Sequence, residues 1–227
     1  MTANRSAAAQ KAAVTRKRRV TGQKAAKTKK RRAARREAAT RKPNMGEREY
    51  QDKVKAKLER FYKGEQIEVQ WYPFRGEGLR IYGPIVDVAV GPFATEQRYE
   101  TRYDELLHKT RVFVERLIEK HNQNVEAEEV EQTSFDAIAS FNRNARCLLC
   151  IEVEESGTRK HCLGDLVNAS ALGRIGLLIA RSQQVLRIFV RQRVYLRYLA
   201  NVGKNTFRTD NALVLTAQQF DACLSSD

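Results

Sequence analysis

Between residues 45 and 220 the spacing of apolar positions switches between a period of three to four and a period of two, and each switch marks an element boundary. Over residues 45–63, Tyr50, Val54, Leu58 and Phe61 fall on one face at helical spacing. Residues 67–71, Ile-Glu-Val-Gln-Trp, alternate as a strand does, and Pro73, Gly76 and Gly78 mark a turn over 72–78. Residues 84–90 are an apolar run broken by one acid, which predicts a buried strand. Helical spacing returns over 96–122, where Tyr99, Tyr103, Leu106, Leu107, Phe113, Val114, Leu117 and Ile118 build apolar ridges. Residues 126–131 carry four acids and read as a solvated loop, and 135–141 read as a short helix.

The second half repeats this alternation. Residues 147–154 form an apolar strand, residues 156–158 a turn, and residues 159–172 a helix. The small residues Gly164, Ala169, Ser170 and Ala171 let that helix pack closely on a sheet, and Gly173 is placed to stop it. Residues 175–180 are apolar throughout, the mark of a central strand covered on both faces. A long helix over 182–201 offers Val185, Ile188, Phe189, Tyr195, Leu196 and Leu199 for burial and also carries Arg187, Arg191, Arg193 and Arg197. Arg193 and Arg197 stand one turn apart and either meet phosphate or form a solvated face, the commoner outcome. A strand at 212–215 and a capped helix at 216–220 complete an α/β pattern without internal repeats.

The chemistry lies in acids set inside apolar strands. Asp87 interrupts Ile85-Val86-Asp87-Val88-Ala89-Val90, and Glu152 and Glu154 close the run Cys147 to Glu154. Strand side chains alternate, so Glu152 and Glu154 point one way while Ile151 and Val153 point the other. A carboxylate on such a strand costs several kcal/mol to desolvate unless paired, and a divalent cation is a common partner. Glu47 lies on the apolar face of the first helix, within about 20° of Val54 and Leu58 at 100° per residue. It either complements the helix dipole or reaches a metal site at the sheet's edge.

Charge divides the chain into two parts. Residues 1–42 hold sixteen lysines and arginines and one acid, Glu37. Taken from totals of 42 and 27, these leave 26 bases and 26 acids, so residues 43–227 are neutral. The arm (1–43) has too little apolar surface to offset its ordering entropy and is expected to be disordered when free. Its clusters, Arg16, Lys17, Arg18 and Arg19, then Lys29, Lys30, Arg31 and Arg32 with Arg35 and Arg36, suit nucleic acid through counterion release, and helix could form against a polyanion. A solubility or targeting tail, such as a nuclear signal, is the plainer alternative. No stretch of the arm resembles a signal peptide or membrane span.

Four cysteines without an export signal imply reduced thiols and an intracellular location, cytoplasm or nucleoid, or nucleus in a eukaryote. Cys147 and Cys150, three apart on a strand, are expected on opposite faces, which favours buried thiols over zinc ligands alongside His161 and Cys162. His161, Asp165 and Asn168 share a helix face, read as surface before relay. No Gly-x-Ser-x-Gly and no phosphate-cradling glycine loop is present, which disfavours a nucleotide-driven motor or a dehydrogenase.

Helix with a leading acid, strand, strand with Asp87, strand with Glu152-Val153-Glu154, helix, strand: over about residues 45–180 this order resembles the PD-(D/E)XK nuclease superfamily. The resemblance implies a restriction-endonuclease-like domain over 44–227, a central mixed sheet flanked by helices, with a helical insertion at about 96–145. It implies Mg²⁺ (or Mn²⁺) held by Asp87, Glu152, Glu154 and Glu47, and a catalytic set of Asp87, Glu152, Glu154 and Lys160. Glu154 stands where the family motif normally ends in Lys, leaving Lys160 or Arg159 as the nearest bases. The expected activity is hydrolysis of phosphodiesters in nucleic acid, DNA ahead of RNA, with no membrane partner and a homodimer left open. A catalytically degenerate binding or assembly factor on the same fold is the alternative, and a third assignment gives the arm to ribosome or nucleoid association.

Overall fold

The computed structural model describes residues 45–74, 83–94, 97–126, 132–204 and 208–225. The arm with all its expected nucleic-acid contacts, most of the turn over 72–78 and most of the acidic loop over 126–131 lie outside the described residues.

The described chain is α/β: a five-stranded mixed sheet flanked by helices. The strands are β1 (Ile67–Trp71), β2 (Val86–Val90), β3 (Cys147–Glu154), β4 (Gly173–Ala180) and β5 (Ala212–Thr216), side by side in sequence order. The helices are α1 (Glu47–Phe61), α2 (Glu100–Lys109), α3 (Arg111–Glu126), α4 (Phe135–Ala139), α5 (Arg159–Leu172), α6 (Gln183–Asn201) and α7 (Ala217–Cys223). β1, β2 and β3 pair antiparallel, whereas β3, β4 and β5 run parallel. Parallel neighbours need a crossover, and α5 and α6 supply the two crossovers here. β4 is buried along its whole length and β3 up to Glu154, which accounts for their unbroken apolar runs.

Register decides which acids meet. Val88 pairs with Ile151 and Ala89 with Cys150, so one step further Asp87 comes opposite Glu152. Ala89, Cys150, Leu178 and Val214 belong to one apolar core with Cys162, Leu166 and Ala169 of α5 and Phe189 of α6. Of the small residues of α5, Ala169 and Ser170 are buried as expected, whereas Gly164 and Ala171 are exposed; a Cβ on Gly176 of β4 would come within 2.8 Å of the Ala169 carbonyl, so only glycine admits the helix this close.

Several expectations need correction. The single helix over 96–122 is two, α2 and α3, separated at Thr110. The Thr110 hydroxyl turns back to the Leu106 carbonyl (2.8 Å) and meets the Tyr62 hydroxyl (3.3 Å), a local bond that competes with helix continuation. Gly173 ends α5 but enters β4 directly, with φ −84° and ψ 143°. Cys147 and Cys150 are free and buried, yet their thiols interact instead of facing opposite sides.

Arg193 is neither a phosphate contact nor part of a solvated face. It is buried and donates to the Ala212 carbonyl at 2.5 Å, beside His121. His121 accepts from the Val214 amide (3.0 Å) and Asn124 donates to the Val214 carbonyl (3.0 Å). Side chains thus occupy the outward backbone groups of β5, and a potentially adhesive sheet edge is closed. Among the described residues no helix is long and apolar enough to cross a membrane.

Candidate active site

Four elements deliver acids to one cleft of about 390 Å³. β2 brings Asp87, the end of β3 brings Glu152 and Glu154, the first turn of α1 brings Glu47, and α5 brings Asp165 with Lys160 and His161. All five residues expected from the sequence at the metal or catalytic site, Glu47, Asp87, Glu152, Glu154 and Lys160, therefore line the same cavity. Glu47 stands exposed at its rim instead of on a buried stripe, while Glu49 reaches back to the Gly46 amide and closes the helix start.

Asp87 is held from three directions. Its Oδ2 accepts from the Val153 amide of β3 at 2.7 Å. Its Oδ1 accepts from the side-chain amides of Gln51 at 2.8 Å and Gln70 at 3.0 Å. Gln70 also donates to Gln51 Oε1 at 3.2 Å, so the two amides form a linked pair behind the carboxylate. Gln70 reaches this position from a left-handed backbone, φ 57°, which costs a residue with a Cβ about 1–2 kcal/mol. Strain of that kind persists only where the surroundings enforce it. The Asp87 amide makes a long contact, 3.4 Å, with Glu152 Oε2.

Burial and mutual repulsion set the protonation of these groups. Burial is the largest influence on Asp87 and pushes it up to about 6; the Val153 hydrogen bond opposes this, and Glu47 and Glu154 add to it. Asp165 is pushed up to about 7, by burial first and then by Glu154, Asp87 and Glu47. Glu152, only 5% exposed, is held well above the usual carboxylate range by burial, Cys150, Asp87 and Asp165. Among the described residues, the charged groups that raise these three are neighbouring carboxylates and the Cys150 thiol, while Lys160 stands on the wall of the same cleft. Acids so coupled titrate as a set, and near neutral pH the set retains protons or takes a cation.

The donor chemistry fits a small hard cation: carboxylate oxygens from two strands and two helices suit Mg²⁺ or Mn²⁺. As the side chains stand, no three His, Cys, Asp or Glu groups among the described residues converge on one point. The hydrogen bonds explain this. Both Asp87 oxygens are engaged, and Glu154 Oε1 accepts from the Ser156 amide at 3.0 Å. Glu154 folds so closely over this turn that a Cβ on Gly157 would lie 2.4 Å from its Oε2. Asp87 Oδ1 accepts two of these bonds, but Asp87 Oδ2 and Glu154 Oε1 each accept one and keep a second lone pair, and a rotation of Glu152 or Glu154 would present further oxygens to an ion.

Three participants were not identified as site residues from the sequence. Asp165 reads from the sequence as part of a surface row with His161 and Asn168, ahead of a relay beside the acids, although it lies beside Cys162 and Leu166, which are buried. Gln51 is 2% exposed on the apolar side of α1, and a buried amide must have a partner; that was its detectable signal. Gln70 gave none, because its role depends on its left-handed backbone. No protein-family model, no curated protein and no solved structure matches the chain.

Proposed function

We propose that the chain is a metal-dependent nuclease of the restriction-endonuclease-like kind, hydrolysing phosphodiester bonds of DNA, with RNA as the second candidate. The observation that carries this reading is a cleft in which Asp87, Glu152 and Asp165 are desolvated together and crowded by further carboxylates. The element order supports it too: a helix, three antiparallel strands, a crossover helix, and a strand parallel to the third.

Bound Mg²⁺ or Mn²⁺ would supply Lewis acidity at a phosphoryl oxygen and a water of lowered pKa. Asp87 and Glu152 are the residues to hold it, with Glu154, Glu47 or Asp165 completing the oxygen set. Asp87 is fixed for this by Val153, Gln51 and Gln70, which hold its oxygens before any ligand arrives. Glu154 or Asp165 takes the proton of the attacking water; Asp165, at about 7, is matched to that task near neutral pH. Lys160, exposed at the start of α5, neutralises charge developing on the phosphate. The arm, with sixteen bases over residues 1–42, tethers the enzyme to nucleic acid through a salt-sensitive, sequence-independent term.

One observation favours the degenerate alternative: Glu154, where the resemblance calls for Lys, is bonded to its own turn. Cleavage assays on DNA and RNA with Mg²⁺ and Mn²⁺ separate the two. The nuclease reading expects metal-dependent cleavage that Asp87→Ala abolishes while binding is retained. No cleavage of either nucleic acid by the unmodified protein refutes it.

A further inference from the structure

Gly164 sits in the interior of α5, the sixth of its 14 residues. Glycine there costs stability relative to alanine, because it gives up more backbone freedom on folding. A glycine kept at such a position normally answers to packing or to backbone conformation. Gly176 shows the packing case, since a Cβ there would meet Ala169. A Cβ on Gly164 would meet nothing within 4 Å among the described residues. Gly64 and Gly203 have the same open space but positive φ, 87° and 68°, and Gly46 is the N-cap of α1. Gly164 has a helical backbone and is exposed, so neither packing on the sheet nor conformation accounts for it.

What Gly164 does line is the carboxylate cleft. Lys160, His161, Gly164 and Asp165 all line it, and residues so spaced share one face of a helix. Cys162, Leu166 and Ala169, on the other side of α5, are buried in the core. Gly164 stands one turn, about 6 Å, beyond Lys160 and directly before Asp165. Along this wall the cleft therefore presents a cation, then bare backbone, then the acids. Glycine is the residue that lets a ligand approach the backbone closely. Any larger side chain would project into a space of only about 390 Å³. In a nucleic-acid strand an uncharged sugar ring separates each phosphate from the next. A strand with one phosphate at Lys160 and its neighbour at the acid end passes the intervening sugar over Gly164, where bulk and not charge decides the fit.

We propose that Gly164 is a substrate-fitting residue: the bare backbone of α5 at this position receives the sugar between two phosphates of a nucleic-acid strand lying in the carboxylate cleft. The choice of substrate rests on the nuclease reading, but contact between a strand and Gly164 is measurable without cleavage.

The test is thiol protection. All four cysteines are buried, so Gly164→Cys adds an accessible thiol to a chain whose own thiols are shielded. Its alkylation by iodoacetamide is followed by mass spectrometry on the full chain with Mg²⁺, alone and with oligothymidylate, duplex DNA or oligouridylate. Val112→Cys, at a position 63% exposed on α3 and outside the cleft lining, reports any general shielding by strands held on the arm. At least one of these nucleic acids, at about ten times its Kd, is expected to slow alkylation of Gly164→Cys about tenfold and to leave Val112→Cys unchanged. Gly164→Ala is expected to raise Tm by about 1–4 °C, since the added methyl meets open space. Gly164→Leu is expected to keep at least the wild-type Tm and the wild-type Mn²⁺ affinity read by EPR, while kcat/KM for cleavage falls about a hundredfold. Alkylation that no nucleic acid slows, equal slowing at Val112→Cys, or a lower Tm in Gly164→Ala overturns the proposal. Protection at Gly164→Cys without cleavage by the unmodified protein keeps the strand contact and removes the nuclease. Cleavage by the unmodified protein with Gly164→Cys unprotected and Gly164→Leu unimpaired does the reverse.

Discussion

Replacing Asp165 by Asn tests whether the cleft holds acids against their preference. Asp165 stands at about 7 in place of its ordinary 3.8, with burial the main cause. At ~1.36 kcal/mol per tenfold change in proton affinity, that difference amounts to about 4 kcal/mol. Asp87 and Glu152 are raised alongside it and solvent reaches the cleft, so about half, roughly 2 kcal/mol, should appear in stability. The sign follows from linkage. A carboxyl whose pKa is raised on folding stabilises the protein below about 3.8, and that stability is lost as pH rises through about 7. Wild type in EDTA therefore loses a contribution over this window that Asp165→Asn does not possess. The variant should match wild type near about pH 4 and exceed it by roughly 2 kcal/mol above about pH 7. For a domain of this size that is a gain of about 4–8 °C in Tm. Thermal unfolding across pH measures it, and Mg²⁺ should narrow the gap by raising wild type, since a ligand that binds only the folded state stabilises it. Parallel pH curves, or a variant less stable at high pH, would show that Asp165 titrates as a surface acid and that the cleft is not a desolvated acid set.

Three further outcomes follow from contacts elsewhere. Gly176→Ala should destabilise by about 1–3 kcal/mol in urea titration, because the added Cβ meets backbone atoms of Ala169 at 2.8 Å; no loss would mean α5 shifts freely. Arg193→Leu removes the donor to the buried Ala212 carbonyl and should cost about 2–3 kcal/mol in the same assay, whereas a solvated arginine would cost nearly nothing. Deleting residues 1–42 removes sixteen cations and should flatten the salt dependence of nucleic-acid binding; an unchanged slope refutes a role for the arm.

Much of the fold could be read from the residues because burial on both faces leaves a plain mark. Apolar runs in β3 and β4 and alternation in β1 locate strands with little ambiguity, and Tyr50, Val54 and Leu58 do the same for α1. Failures occurred where a local pattern was satisfied by two structures. The apolar ridges of α2 and α3 continue across Thr110, so periodicity passes through a break caused by one hydroxyl and its two partners. Arg193 has the spacing of a surface cation, and only the closure of the β5 edge, a contact between residues nineteen apart, explains its burial.

The site followed the same logic. Asp87 and Glu152 were detectable because an acid inside an apolar strand is costly wherever the strand lies, so the anomaly belongs to the residue itself. Asp165 was not, because its cost arises from burial together with Glu154, Asp87 and Glu47, which tertiary structure brings to it. Gln70 is further still from view: its amide serves Asp87 only through a left-handed backbone. These three degrees of visibility correspond to three physical origins, desolvation, repulsion and backbone strain, and all three act on one carboxylate cluster. A fold that needed no ligand there would lose stability from each. Sheet register alone does not require them, since Asn in place of Asp165 or Leu in place of Glu152 would relieve repulsion without disturbing a strand pair. Their coincidence is the physical argument that supports the proposal of a cleft built for a cation and for chemistry on an anionic substrate.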